Sequence, residues 1–125
     1  MIVPTLKRRD EFLRIRGGLR WACGCFVLEA KARRIPSATP EAGPRVGYTV
    51  TKRMGNAVIR NRIKRRLRAA MAAMKPNDLH NDCDYVLIAR HGALKRAFGD
   101  LTNDLRTGLR KIHQKKQYSQ TAKRT

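Results

Sequence analysis

Between Glu41 and Asp78 the chain carries no carboxylate, yet the stretch from Arg60 to Arg68 holds six cationic side chains: Arg60, Arg62, Lys64, Arg65, Arg66 and Arg68. Charge of one sign repels itself, and with no Asp or Glu three or four residues away no helical ion pair relieves it. The segment therefore needs apolar contacts to hold it compact and a counter-charge from outside the chain. The contacts are written into it. At about 100 degrees per residue, Ile59, Ile63, Leu67, Ala70 and Met74 fall within an arc of roughly 80 degrees on a helix. Asn61, Arg62, Lys64, Arg65 and Arg68 sweep the remainder, with Arg60 and Arg66 at the margins of the arc. Asn56 is placed to cap this helix, Gly55 before it suits a positive φ, and Pro76 marks the far end. The amides around Asn56 add a phosphate-sized anion site that runs on into the basic face.

The chain has 125 residues, a length for one domain, and its 42% apolar content supports one modest core. A formal charge of +20 and a pI near 11.4 exceed what solubility requires and point to a polyanion, nucleic acid ahead of an anionic membrane. No window offers the roughly eighteen apolar residues of a spanning helix, and "MIVPTLKRRDEF" lacks the apolar core of a secretory signal. The expectation is a protein that stays in the compartment where it is made.

Along the chain, "LKRRDEFLRIRGG" reads as a short helix stopped by Gly17 and Gly18. "RWACGCFVLEAKA" reads as a strand run that carries Cys23 and Cys25 on one strand, pointing the same way, and "RRIPSATPEAGP" as a connection. "RVGYTVT" alternates Val46, Tyr48 and Val50 with Arg45, Gly47, Thr49 and Thr51, which predicts one face on the core and one small, polar and exposed. "DYVLIAR" suits a buried central strand, and Leu101, Leu105, Leu109 and Ile112 space a last amphipathic helix. The order predicts a single-domain α+β sandwich over residues 1–117, with a mobile Pro-rich loop near 33–44 and a basic, disordered tail over 118–125.

Chemistry of its own is not legible. Asp78, Asp82 and Asp84 read as cap and turn residues, Asp100 and Asp104 suit a helix dipole, and Glu29 stands alone, so no carboxylate set for metal-ion catalysis is evident. Cys23, Cys25 and Cys83 read as reduced thiols; a zinc site joining them to His80, His91 or His113 lacks the paired CxxC spacing of structural sites. No catalytic or metal-ligating residue is assigned.

The segment "RVGYTVTKRMGNAVIRNRIKRRLR", centred on Arg60, Asn61 and Arg62, closely resembles the signature of the bacterial ribonuclease P protein component. "LKRRDEF", "FVLEA" and "DYVLIAR" resemble that family's first helix, long strand and C-terminal half in the same order. The resemblance implies a four-stranded sheet with three helices and a left-handed βαβ crossover around the basic helix. It implies a non-catalytic, cytoplasmic subunit of a bacterial ribonucleoprotein endoribonuclease, whose RNA removes the 5′ leader of precursor tRNA using magnesium. The partners implied are the ribonuclease P RNA and the leader, with no membrane, no DNA and no cofactor held by the protein. Carried over by position, Asn56, Arg60, Asn61, Arg62, Lys64, Arg65, Arg66 and Arg68 dock the RNA subunit, and Phe12, Thr49, Thr51, Lys52 and Arg53 hold the leader. Arg16 and Glu29 stand where relatives often carry aromatics, which puts the weight of the leader site on Phe12 and Arg53. The competing reading is a ribosomal or RNA-assembly protein that binds structured RNA without a leader cleft.

Overall fold

The alternation of "RVGYT", the apolar run of "CDYVLIA" and the stretch from Leu19 to Ala32 become the strands of one sheet in the computed structural model. The structure describes residues 5–6, 9–15, 18–32, 43–80 and 83–124, the side chains of Glu11, Arg14 and 116–124 excepted. In chain order the elements are α1 (Arg9–Ile15), β1 (Leu19–Ala22), β2 (Phe26–Ala32), β3 (Arg45–Thr49), α2 (Ala57–Ala72), β4 (Cys83–Ala89) and α3 (Phe98–Arg124). Short 3-10 turns occupy Lys52–Met54, Pro76–Asp78 and His91–Ala93. The sheet order is β1-β2-β4-β3. β2 pairs antiparallel with both β1 and β4, whereas β3 runs parallel to β4, so the chain crosses over between them through α2. This is the expected α+β arrangement of four strands and three helices. The backbone of α3 is helical to Arg124, past Gln117, beyond which the sequence predicts a disordered tail. Apart from Gly43 and Pro44, the expected mobile loop near 33–44 lies outside the described residues.

The single strand run predicted around Cys23 and Cys25 is in fact two strands. Gly24 interrupts the apolar stretch, and the Cys23 N–H donates to the Phe26 carbonyl at 3.0 Å, closing a hairpin in which Trp21 sits opposite Leu28. Cys23 and Cys25 therefore lie in a turn, not on a shared strand face. The Trp21 and Phe26 rings meet at 6.0 Å across the hairpin end.

One face of the sheet carries Phe26, Leu28, Ala30, Val46, Tyr85 and Leu87, all buried in a core completed by α2 and α3. From α3 come the four predicted residues Leu101, Leu105, Leu109 and Ile112. From α2 come Ile63, Leu67, Ala70 and also Met71, which lies just outside the predicted arc; the helix is covered from two sides, by the sheet and by α3, so its apolar stripe is wider. Met74 is buried beyond the helix end and Ile59 is half-buried. α1 covers the opposite face, where Leu6, Ile15 and Val86 are buried with Phe12 and Ile88 packed on them. The outer face of β3 is thus not the exposed polar surface its alternation predicted. Gly47 is buried under the Phe12 ring, so close that a Cβ on Gly47 would stand 2.4 Å from Phe12 Cε1.

β4 is fastened to β3 by charge as well as by its ladder. Arg45, directly opposite Asp84, donates from Nε to Oδ1 at 3.1 Å and from Nη2 to Oδ2 at 2.8 Å. Asp84 is wholly buried, at the start of the predicted central strand, so this forked pair is what makes its charge tolerable. α2 starts as predicted, with Asn56 Oδ1 accepting the Ile59 N–H at 2.9 Å. Asn56→Ala is expected to lower unfolding free energy by about 1 kcal/mol. Urea unfolding measures it as a lower midpoint at unchanged slope, and an unchanged midpoint would contradict the cap.

Candidate nucleic-acid interface

Gly55 turns the chain from the Lys52–Met54 turn into α2 at φ 140°, a conformation that strains any L side chain. Its own N–H donates back to the Lys52 carbonyl at 3.3 Å. With Asn56 holding the Ile59 N–H and Arg60 N–H taken by the Asn56 carbonyl, the Ala57 and Val58 amides have no intrahelical acceptor and open to solvent. Asn61, Arg62, Arg65 and Arg68 are exposed along the helix that follows, and Lys64 is half-exposed. Among the described residues none of these cations has an ion-pair partner, and α2 contains no acid. The predicted basic face is therefore present as one surface, beginning at an open helix N-terminus.

Three arginines behave differently from the rest. Arg66, at one margin of the arc, donates from Nε to the Ala93 carbonyl at 2.9 Å and from Nη2 to the Arg96 carbonyl. It clamps the segment after β4 onto α2, so its guanidinium is already engaged. Arg60, at the other margin, is half-buried, and its Nε is buried without a hydrogen-bond partner among the described residues. Arg68 stands over the Tyr48 ring at 5.7 Å from its centroid. Burial pushes the Tyr48 hydroxyl up to about 12, with Arg68 pulling the other way.

On the opposite face of the sheet lies a groove of about 220 Å³ between α1 and the strands, lined by Arg9, Phe12, Leu13, Ile15, Glu29, Thr49, Val86 and Ile88. It brings together two of the predicted leader residues, Phe12 and Thr49. Thr51, Lys52 and Arg53 do not line it; they are exposed on the turn that leads from β3 to α2 and so connect the groove to the basic helix. Glu29 lies inside the groove, whereas Arg16 is outside the described residues. Val86 and Ile88 were missed as groove residues because β4 is covered on both faces, which erases the alternation that would have separated them from Tyr85 and Leu87.

Three of the remaining carboxylates are held by arginines: Asp84 by Arg45, Asp104 by Arg96 and Asp78 by Arg106 at 4.0 Å. The zinc site that would join all three cysteines to a histidine is not assembled. Cys83 faces Ala32 at one end of the β2–β4 ladder, while Cys25 lies beyond Phe26 at the other, about 20 Å away at strand rise. His80 stacks on His113 at 3.7 Å, with the Tyr85 hydroxyl 2.8 Å from His113 Nε2. Cys25 instead donates its thiol to Asp104 Oδ2 at 3.6 Å. Burial first, then the neighbouring Cys23 and Asp104, push that thiol up to about 11.

Comparison with known proteins places the chain by sequence and by fold. A family model described as Ribonuclease P matches residues 4–113. The chain is 42% identical over 106 residues to the ribonuclease P protein component of Brucella suis, covering 82% of this chain and 75% of that protein. It is 43% identical over 108 residues to that of Gluconacetobacter diazotrophicus, covering 85% and 88%. Among solved structures, a mutant RNase P protein from Staphylococcus aureus superposes with a TM-score of 0.69 at 30% identity, covering 85% of each chain. The fold is shared with the RNase P protein from Thermotoga maritima, at a TM-score of 0.65 and 23% identity over 81% of this chain and 90% of that one.

Arg66→Ala is expected to cost about 1 to 2 kcal/mol of stability, because it strips two carbonyls of their donor, while Arg65→Ala stays within about 0.5 kcal/mol. Equal losses in thermal unfolding would contradict the clamp. The Tyr48 hydroxyl is raised above its ordinary value of 10.0, so its contribution to stability is complete below that pH and is lost as pH climbs toward about 12. Ultraviolet titration should show a late-ionising tyrosine component, and Tyr48→Phe should reduce it.

Proposed function

Because the chain belongs to the ribonuclease P protein family, we propose that it is the cytoplasmic protein subunit that binds the ribonuclease P RNA through α2 and the 5′ leader of precursor tRNA through the groove beneath α1. The observation that carries the reading is the exposed face of Asn61, Arg62, Arg65 and Arg68, cationic and without a counter-charge among the described residues. Guanidinium groups suit this task, since each offers a planar fork of donors to phosphate and stays charged at any working pH. The open amides of Ala57 and Val58 add donors where the helix dipole favours an anion. Arg66 contributes from behind, by fixing the segment after β4.

Hydrolysis in this reading belongs to the RNA and its magnesium, and the protein acts by charge and position. Cations spread along α2 screen RNA phosphates and reduce the magnesium the RNA needs to stay folded. The groove divides the leader between two environments. Phe12, Ile15, Val86 and Ile88 make an apolar bed for a base, and Glu29 repels phosphate from its floor. The sugar-phosphate chain is left to Arg9 at the rim and to Lys52 and Arg53 on the turn. Stacking on an aromatic side chain is worth about 1 to 3 kcal/mol and tolerates any base, which suits leaders of variable sequence. A mature tRNA has no leader to place there, so the groove favours substrate over product.

Two kinds of variant separate the surfaces. Arg62→Ala and Arg65→Ala are each expected to weaken binding to the ribonuclease P RNA and to reduce the log-log salt slope by about 0.7 to 0.9 for each phosphate no longer neutralised. Phe12→Ala is expected to leave that slope unchanged and to weaken precursor tRNA binding by the holoenzyme about 5- to 100-fold, with mature tRNA unaffected. Filter binding across a salt series measures both. Loss of precursor and mature tRNA binding in equal measure in Phe12→Ala would overturn the groove assignment, and unchanged salt slopes would overturn that of α2.

A further inference from the structure

The hairpin turn between β1 and β2 sets two thiols against a carboxylate of α3. The Cys23 Sγ, Cys25 Sγ and an Asp104 carboxylate oxygen all lie within 4.8 Å of one another, the one such trio of metal-capable side chains among the described residues. From this juxtaposition we propose that Cys23, Cys25 and Asp104 form a binding site for a thiophilic divalent cation of the zinc class.

The distances suit that ion. With Zn–S near 2.3 Å and Zn–O near 2.1 Å, tetrahedral geometry puts sulfur and oxygen ligands about 3.6 Å apart. The Cys25 Sγ and Asp104 Oδ2 are separated by 3.6 Å. The cation takes the place of the proton now shared between them, and both thiol protons pass to solvent. A two-thiolate, one-carboxylate set selects a borderline-soft ion over magnesium or calcium, which prefer oxygen alone. Water fills the fourth position.

The surroundings hold these ligands in place. The carbonyls on either side of the Gly24–Cys25 bond are fixed from the segment after β4, Gly24 accepting the Gly92 N–H at 3.0 Å and Cys25 the Arg90 N–H at 2.9 Å. The Cys23 carbonyl accepts from Arg90 Nη1 at 3.1 Å. Asp104 is oriented by Arg96, whose Nε donates to Oδ2 at 2.9 Å and Nη2 to Oδ1 at 3.3 Å. Such outer partners steer metal-bound carboxylates. Charge also balances: two thiolates and a carboxylate against a divalent ion leave one negative charge, and Arg96 supplies one positive charge.

The test titrates the full-length, reduced, RNA-free protein with cobalt(II) as a spectroscopic probe and with zinc(II) by calorimetry. The expected result is one equivalent of cobalt giving a thiolate-to-metal charge-transfer band that zinc abolishes. Cys23→Ser, at a half-exposed position, and Asp104→Asn are each expected to weaken zinc binding at least tenfold, while Cys83→Ser binds as the parent does. No thiolate band in the parent protein, or zinc affinity unchanged in Cys23→Ser, would overturn the site. So would an equal loss in Cys83→Ser. The parent titration decides the matter even if a variant fails to fold.

Discussion

The molecule depends on burial of one side of α2. Ile63, Leu67, Ala70 and Met71 are sequestered against the sheet and α3, and the larger of these side chains each stabilise by roughly 1.5 to 3 kcal/mol. Against this stand like charges three and four residues apart, such as Arg60 with Lys64 and Arg62 with Arg65, each costing about 0.2 to 0.5 kcal/mol. Burial wins, so the helix persists with its repulsion unrelieved. A surface held in that condition gains on meeting phosphate, because binding removes a repulsion that folding left in place.

The same helix is the crossover that lets β3 lie parallel to β4, and this topology relates the two candidate RNA surfaces. β3 gives Val46 to the core under α2 and α3, while its Gly47 and Thr49 face α1 and the groove. At its end the chain passes through Lys52 and Arg53 to Gly55 and the cap of α2. The two surfaces thus lie on opposite faces of one sheet and are joined by a single turn, so a polyanion bound along α2 and a strand lying under α1 are held at a fixed mutual distance. The Arg45–Asp84 pair makes that relation stiffer by fastening the start of β3 to the central strand.

Much of this was legible in the residues, and what was not has identifiable physical causes. The cap at Asn56, the positive φ of Gly55 and the core residues of α3 follow from local chemistry and helical period, which act over one or two turns. Long-range partnering does not leave such a mark. Nothing near Arg66 announces that two carbonyls some thirty residues later will occupy it. Likewise the outer face of β3 reads as polar and exposed until α1 is laid over it and Phe12 meets Gly47. The hairpin at Cys23–Cys25 was hidden because Gly24, in a stretch of strand-forming residues, reads equally as a bulge or a turn. The order of the elements and the Arg60-Asn61-Arg62 centre were nevertheless enough to identify the family, which supplied the fourth strand that periodicity alone had merged.

The most direct measurement is cleavage of a 5′-labelled precursor tRNA by a bacterial ribonuclease P RNA at near-physiological magnesium, with and without this protein. The account predicts that the RNA alone is nearly inactive under these conditions, that the protein restores cleavage at the mature 5′ end, and that the protein without RNA cleaves nothing. A protein that binds the RNA but restores no cleavage, or that cuts precursor tRNA on its own, would contradict it.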